Sequence, residues 1–261
     1  MSAIPFKQQE VYYPESDGKP VAESDIHIDE LLTARHALKE HFRAVEDVYA
    51  AGNMLLYYVQ GDPRKCVAPD VFVVRGVPKR RRNIFKLWEE GHAPCFVLEI
   101  TSDTTRSEDL RKKKDLYQDL GVEEYFLFDP LQDYLKPSLQ GFRLVDGRYQ
   151  PIPSEVDGSL ASRTTGTRLR REGHEKLRFV NAETGEPLVR IEELRDLADT
   201  AAEALREADG ERRKARSAEV ERQRAEEERQ QMKARLAEET AARRAAEEEL
   251  ARLRRELESR K

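Results

Sequence analysis

What most constrains this chain is the make-up of its last 74 residues. Residues 188–261 contain no proline, no Phe, Tyr or Trp, and a single glycine, Gly210, yet 39 of the 74 are charged, 19 basic and 20 acidic. A segment so highly charged and without aromatic side chains is poorly suited to enclosing a core, and one rich in Ala, Glu and Arg without proline favours helix. Counting back from Leu257 in alternating steps of four and three gives 19 seam positions ending at Leu194, of which 14 are apolar. A heptad register therefore runs through the whole segment. As one helix, residues 190–258 would extend about 100 Å at 1.5 Å per residue. The Leu positions cluster at the two ends, and the central seam is mostly Ala, which buries far less apolar area. Two readings stay open: a coiled coil with a second copy or a partner, and a solitary solvated helix held by Glu–Arg pairs.

Residues 1–187 are a different polymer. They hold every proline and aromatic residue of the chain, and they are long enough to enclose one good core without disulfide staples. Ser24 is a candidate N-cap for a helix over Asp25–Arg43. Strand-like runs follow at 45–59, Val67–Val74, Phe96–Thr101, Glu124–Phe128, Phe142–Val145, Tyr149–Ile152 and Leu177–Val180. A helix from Ser107 to Leu120 is stopped by Gly121, and the stretch Arg75–Pro94 reads as looser. The alternation predicts an α/β domain with a mixed sheet. Residues 188–261 are expected to form a separate helical tail.

Charge and cysteine content narrow the function. A net charge of −5 excludes wholesale electrostatic binding of polyanions, so any nucleic acid must meet a local basic patch. Cys66 and Cys95 are the only cysteines. They cannot build a zinc site and read as free thiols of a reducing compartment. No run approaches 18 apolar residues and no signal-type leader opens the sequence, so the expectation is a cytoplasmic protein with no membrane partner.

Three residues carry chemistry. Asp70 follows Pro69 at the head of a strand. Glu99 sits inside an apolar strand, where a carboxylate is costly unless paired, hydrogen-bonded or metal-bound. Lys113 lies on the following helix within Asp109-Leu-Arg-Lys-Lys-Lys-Asp-Leu-Tyr117. Two carboxylates on neighbouring strands offer hard oxygen ligands suited to Mg²⁺. Such a metal activates water and neutralises charge on a phosphate in transit. The loop cations Arg80, Arg81 and Arg82 are candidates for sequence-independent contacts to phosphates. His27 reads as a packing residue, Tyr117 and Trp88 as core, and Asp109 as an acid favoured at a helix start.

Pro69-Asp70, Val97-Leu-Glu-Ile-Thr-Ser102, Thr105-Arg-Ser-Glu-Asp-Leu110, Lys113, Tyr117 and Gly121-Val-Glu-Glu-Tyr-Phe-Leu-Phe-Asp-Pro130 occur in an order that resembles the Uma-type restriction endonucleases of the PD-(D/E)XK nuclease superfamily. Tyr13-Pro-Glu-Ser-Asp-Gly-Lys-Pro20, Ala22-Glu-Ser-Asp-Ile-His27 and Lys86-Leu-Trp-Glu-Glu-Gly91 extend the resemblance over roughly residues 10–182. It implies a restriction-endonuclease-like mixed β-sheet flanked by helices, and cleavage of DNA with Mg²⁺, or Mn²⁺ in its place, held by Asp70 and Glu99. It also implies Glu23 as an auxiliary metal ligand. Thr101 stands where the superfamily pattern has Lys, and the resemblance supplies that charge from Lys113. The alternative is a catalytically inactive nuclease-like body that works as an interaction protein through its coiled coil.

Overall fold

The computed structural model describes residues 11–16, 24–101 and 107–258. For 107–110, 250–251 and 253–258 only the backbone is described. Glu23 therefore lies outside the described residues, as do the side chains of Asp109 and of Leu250, Leu253 and Leu257.

The chain begins with helix α1 (Asp25–His41), capped by Ser24, whose Oγ accepts from the His27 N–H. Strands β1 (Val48–Ala51), β2 (Leu56–Tyr57), β3 (Cys66–Val67), β4 (Val71–Arg75) and β5 (Phe85–Lys86) lead into the short helix α2 (Leu87–Glu90). Next come β6 (Phe96–Ile100), α3 (Ser107–Asp119), β7 (Glu124–Phe128), β8 (Leu139–Val145) and β9 (Arg148–Pro151). Strands β10 (Leu160–Ser162), β11 (Thr167–Glu172) and β12 (Lys176–Asn181) precede the 68-residue helix α4 (Ile191–Glu258). None of the described helices is long and apolar enough to cross a membrane.

A six-stranded mixed sheet, ordered β1-β4-β6-β7-β8-β9, forms the centre. β6 and β7 are parallel, joined through α3, and every other pairing in the sheet is antiparallel. Two three-stranded sheets, β10-β11-β12 and β3-β2-β5, accompany it. Strand alternation divides the interior in two. On one face Phe96, Leu98, Ile100, Phe126 and Phe128 meet Leu31, Ala34 and Leu38 of α1 together with Leu169 and Phe179. On the other, Phe72, Val97 and Tyr125 pack with Tyr117 of α3, Leu56 and Phe85. Each large side chain fully removed from water contributes roughly 1.5–3 kcal/mol.

The expected α/β class and mixed sheet are observed, with three differences in detail. The run Val67–Val74 is two strands in two sheets, because Pro69 has no N–H to donate and interrupts the ladder. The stretch read as loose, Arg75–Pro94, contains β5 and α2. β10 and β11 went unread because they are short and alternate polar with apolar residues, burying one face only.

The contacts divide the chain after Arg195, beyond the break in composition at 187. Residues 188–195 belong with the body through a buried ion pair. Both Arg190 Nη atoms donate to the Glu30 carboxylate, and Nη1 also donates to the Leu177 carbonyl at 2.6 Å. Beyond that point α4 continues with its apolar side chains exposed, Leu205, Met232 and Leu236 among them. Neither Cys66 nor Cys95 forms a disulfide.

Candidate active site

Asp70 and Glu99 meet because β4 and β6 are antiparallel neighbours. Val71 is paired with Leu98, so the residue before β4 lies beside the end of β6. The Asp70 carboxylate is fixed there by the Ile100 N–H, which donates to its Oδ2 at 2.7 Å. Its Oδ1 faces His27 Nε2 at 3.5 Å. The backbone is seated with equal economy of space: a Cβ on Gly52 would stand 2.1 Å from the Asp70 carbonyl oxygen, and the neighbouring Asn53 N–H donates to the carbonyls of Pro69 and Asp70. Gly52→Ala is therefore expected to displace the Asp70 strand head and to destabilise by about 1–3 kcal/mol. A urea unfolding curve against wild type measures this, and an unchanged midpoint would contradict it.

Glu99 projects to the α3 side of the sheet, opposite Leu98 and Ile100, and is 2 % exposed. Both carboxylate oxygens are engaged: Lys113 Nζ donates to Oε2 at 2.8 Å and the Tyr117 hydroxyl to Oε1 at 2.6 Å. The Glu99 carboxyl is raised to about 7, burial being the largest cause. Lys113 opposes that shift, the charge of Asp70 adds to it, and the Tyr117 hydrogen bond opposes it. The Tyr117 hydroxyl is raised in turn, by burial first and then by the Glu99 charge.

The structure thus brings Asp70, Glu99 and Lys113 together. Lys113 is no solvated lysine of a charged run, since its side chain is 21 % exposed and crosses from α3 to β6. Its neighbour Lys114 points elsewhere, its Nζ 3.4 Å from the centroid of the Phe142 ring. Two site residues were read as packing. Tyr117 is in the core, yet its hydroxyl holds Glu99; the signal was its i+4 spacing from Lys113, which puts both on one helix face. His27 is buried in the first turn of α1 and faces Asp70, a contact that sequence spacing does not reveal.

The basic run divides in two. Arg82 is committed to the structure: its guanidinium donates to both oxygens of Glu90 at 2.8 Å and lies 4.3 Å from the Tyr49 ring centroid, with the side chain 2 % exposed. Its donors are thus engaged within the protein. Arg80 shares Glu90 but is largely exposed, and Arg81 is exposed.

The donor set suits a hard divalent cation. Two buried carboxylates lie within electrostatic reach of each other, and Glu99 resists ionisation unless positive charge is added beside it. Thr101 Oγ1, two residues beyond Glu99, is buried with no hydrogen-bond partner among the described residues. No group of three or more His, Cys, Asp or Glu side chains placed to hold a metal occurs among those residues. A cation here would complete its shell with water and phosphate, as Mg²⁺ does.

A mixed sheet with a buried acidic pair at its centre, completed by a lysine and a tyrosine from the crossover helix, defines the class: an α/β protein with a carboxylate–lysine site. Residues 5–170 match the Uma2 family model, described as "Putative restriction endonuclease", and the chain belongs to that family. Among solved structures it is similar to the crystal structure of "a putative nuclease belonging to DUF820 from Anabaena variabilis". The two are 16 % identical with a TM-score of 0.41, over 58 % of this chain and 81 % of that one. No curated protein matches.

Proposed function

We propose that this protein is a Mg²⁺-dependent endonuclease that hydrolyses DNA phosphodiester bonds at Asp70, Glu99 and Lys113, with Mn²⁺ as an alternative metal. The observation that carries this reading is the 2.8 Å contact of Lys113 with Glu99, which restores beside the acidic pair the ammonium that Thr101 does not provide. Asp70 and Glu99 would hold the metal, with Glu23 as a further acidic ligand. When bound, the metal polarises the phosphodiester and lowers the pKa of water. Lys113 orients the attacking water and balances charge gathering on the phosphoryl oxygens. Tyr117 and the Ile100 N–H hold the two carboxylates in place. The water oxygen bonds to phosphorus and gives up a proton to solvent, a P–O ester bond breaks, and the departing oxygen takes a proton from solvent.

Incubation of the full chain with supercoiled plasmid and Mg²⁺ tests the proposal. Wild type is expected to nick the plasmid and Glu99→Ala to leave it intact; equal rates would refute the activity. Lys113→Met is expected to lower the nicking rate about 10²–10³-fold while retaining metal binding by calorimetry. Absence of Mg²⁺ or Mn²⁺ binding to wild type would instead favour the non-catalytic interaction protein, the reading that Thr101 first raised.

For residues 188–261 we propose oligomerisation or partner docking through the heptad seam, with the body 1–187 as the nuclease domain. Light scattering of the full chain is expected to give at least a dimer mass, against a monomer for a chain ending at Arg195, which keeps the Arg190–Glu30 pair. A monomer in both would refute the tail's role. Cys66 and Cys95, which form no disulfide, fit the reducing cytoplasm.

A further inference from the structure

At the free edge of the central sheet, beyond β1, lies an open cleft of about 650 Å³. Its lining includes seven cationic side chains and a single carboxylate, Glu40, in a chain whose net charge is −5. Arg35, Lys39 and Arg43 form one wall, spaced four residues apart along α1 and its end. Lys79 and the Arg80–Arg82 loop form the other.

Several of these charges have structural duties. Lys79 caps α1 by donating to the carbonyls of Phe42 and Arg43, and Arg82 is held by Glu90. Arg35 is different: its Nε is buried in the wall with no hydrogen-bond partner among the described residues. A buried guanidinium N–H without an acceptor costs free energy until an anion supplies one.

We infer that this cleft binds the phosphate backbone of DNA flanking the scissile bond, through Arg35, Lys39 and Arg81. The shape of the array argues for a linear polyanion. Four-residue spacing sets the α1 cations about 6 Å apart in a row, whereas a compact anion would draw convergent side chains. The row also begins near the acidic site. His27, which faces Asp70, stands eight residues before Arg35 on the same helix, about 12 Å along its axis. On the far wall Met54 lines the cleft, next to Asn53, whose N–H is bonded to the Asp70 backbone. The assignment rests on the nuclease reading for its choice of DNA, but binding can be measured without cleavage.

The experiment is fluorescence anisotropy of a labelled 24-base-pair duplex with the full chain in EDTA, over a series of salt concentrations. The variant Arg35→Gln/Lys39→Gln/Arg81→Gln is compared with wild type and with Arg212→Gln/Arg213→Gln/Lys214→Gln, which removes equal charge from exposed positions on α4. The cleft variant is expected to flatten the slope of log K against log salt by about 2–3 and to weaken binding roughly 10–100-fold near 0.1 M salt. The α4 variant is expected to keep the wild-type slope. Equal slopes for wild type and the cleft variant, with both melting normally, overturn the inference. So does an equal loss in the two variants, which would make the effect one of net charge. A cleft that binds inorganic tripolyphosphate but no duplex overturns it as well. The two claims fail separately. Slope loss in a protein that nicks nothing leaves the cleft standing without the nuclease, and Glu99-dependent nicking with an unchanged slope does the reverse.

Discussion

Glu99→Gln is expected to reduce plasmid nicking by at least about 10²–10³-fold while the protein stays folded. The amide keeps the size and one acceptor oxygen of the carboxylate but removes its charge, so a divalent cation loses its buried ligand and Lys113 its counter-ion. Melting should change little. The carboxylate is paired at a cost, since burial keeps it raised to about 7 even with Lys113 and Tyr117 opposing the shift, and a neutral amide avoids that cost. Lys113 is partly exposed and can turn its ammonium to water. Calorimetric titration with Mn²⁺ should show weakened binding in the same variant. Tyr117→Phe supplies a graded comparison, because it removes one charge-assisted hydrogen bond of about 1.5–3 kcal/mol and leaves the charge. Its nicking should fall between wild type and Glu99→Gln. Full activity in Glu99→Gln would remove the acidic pair from the mechanism altogether.

The largest expected loss of stability lies at Glu124, a carboxylate with no part in the proposed chemistry. It is 1 % exposed at the start of β7 and accepts from Ser162 Oγ at 2.6 Å, Thr164 Oγ1 at 2.8 Å, Arg143 Nε at 2.8 Å, and the N–H groups of Arg163 and Thr164. It thus ties the central sheet to the turn between β10 and β11. Glu124→Ala strands all these donors, one of them a charged guanidinium, and should cost about 3–5 kcal/mol, a large share of an ordinary domain's stability. A midpoint shift worth under 1 kcal/mol in urea would contradict this.

The same residue sets a pH dependence. Burial pushes the Glu124 carboxyl up, but the bonds from Ser162, Thr164, Arg163 and Arg143 together outweigh burial and leave it below the ordinary carboxylate range. A lowered folded-state pKa favours the native state above the unfolded value, near 4.3. That contribution disappears as pH falls through the depressed one. Glu124→Gln should accordingly be less stable than wild type at pH 7 and should lose less stability between pH 5 and pH 2, as followed by thermal melts. Parallel acid limbs would contradict the assignment.

How much of this was legible depended on the range of the interactions. Ser24 as an N-cap, α3 ending at Gly121, and Glu124–Phe128 as a strand were readable because capping and hydrophobic periodicity are local. Asp70, Glu99 and Lys113 were readable as candidates because residue type and order point to a carboxylate–lysine site. Tyr117 could have been found from its spacing to Lys113. His27, Gly52 and the five-bond setting of Glu124 could not, since each depends on a partner brought close by strand pairing or helix packing.

By itself the sequence determined that a proline-free, charge-balanced segment with a heptad register must be helical, and that the aromatic-rich remainder must hold the core and the acidic pair. Local propensity and the distribution of apolar side chains suffice for that. Only the tertiary structure decided which charges meet at the candidate site and which tie the fold together. Arg80, Arg81 and Arg82 are adjacent in sequence, yet Arg82 is locked onto Glu90 and Tyr49 while Arg81 stands exposed at the cleft. Of three consecutive lysines, Lys113 reaches Glu99 while Lys114 lies over the Phe142 ring. A charge acquires its role from the burial and the partner it meets, and those are fixed by strand register and helix rotation rather than by composition.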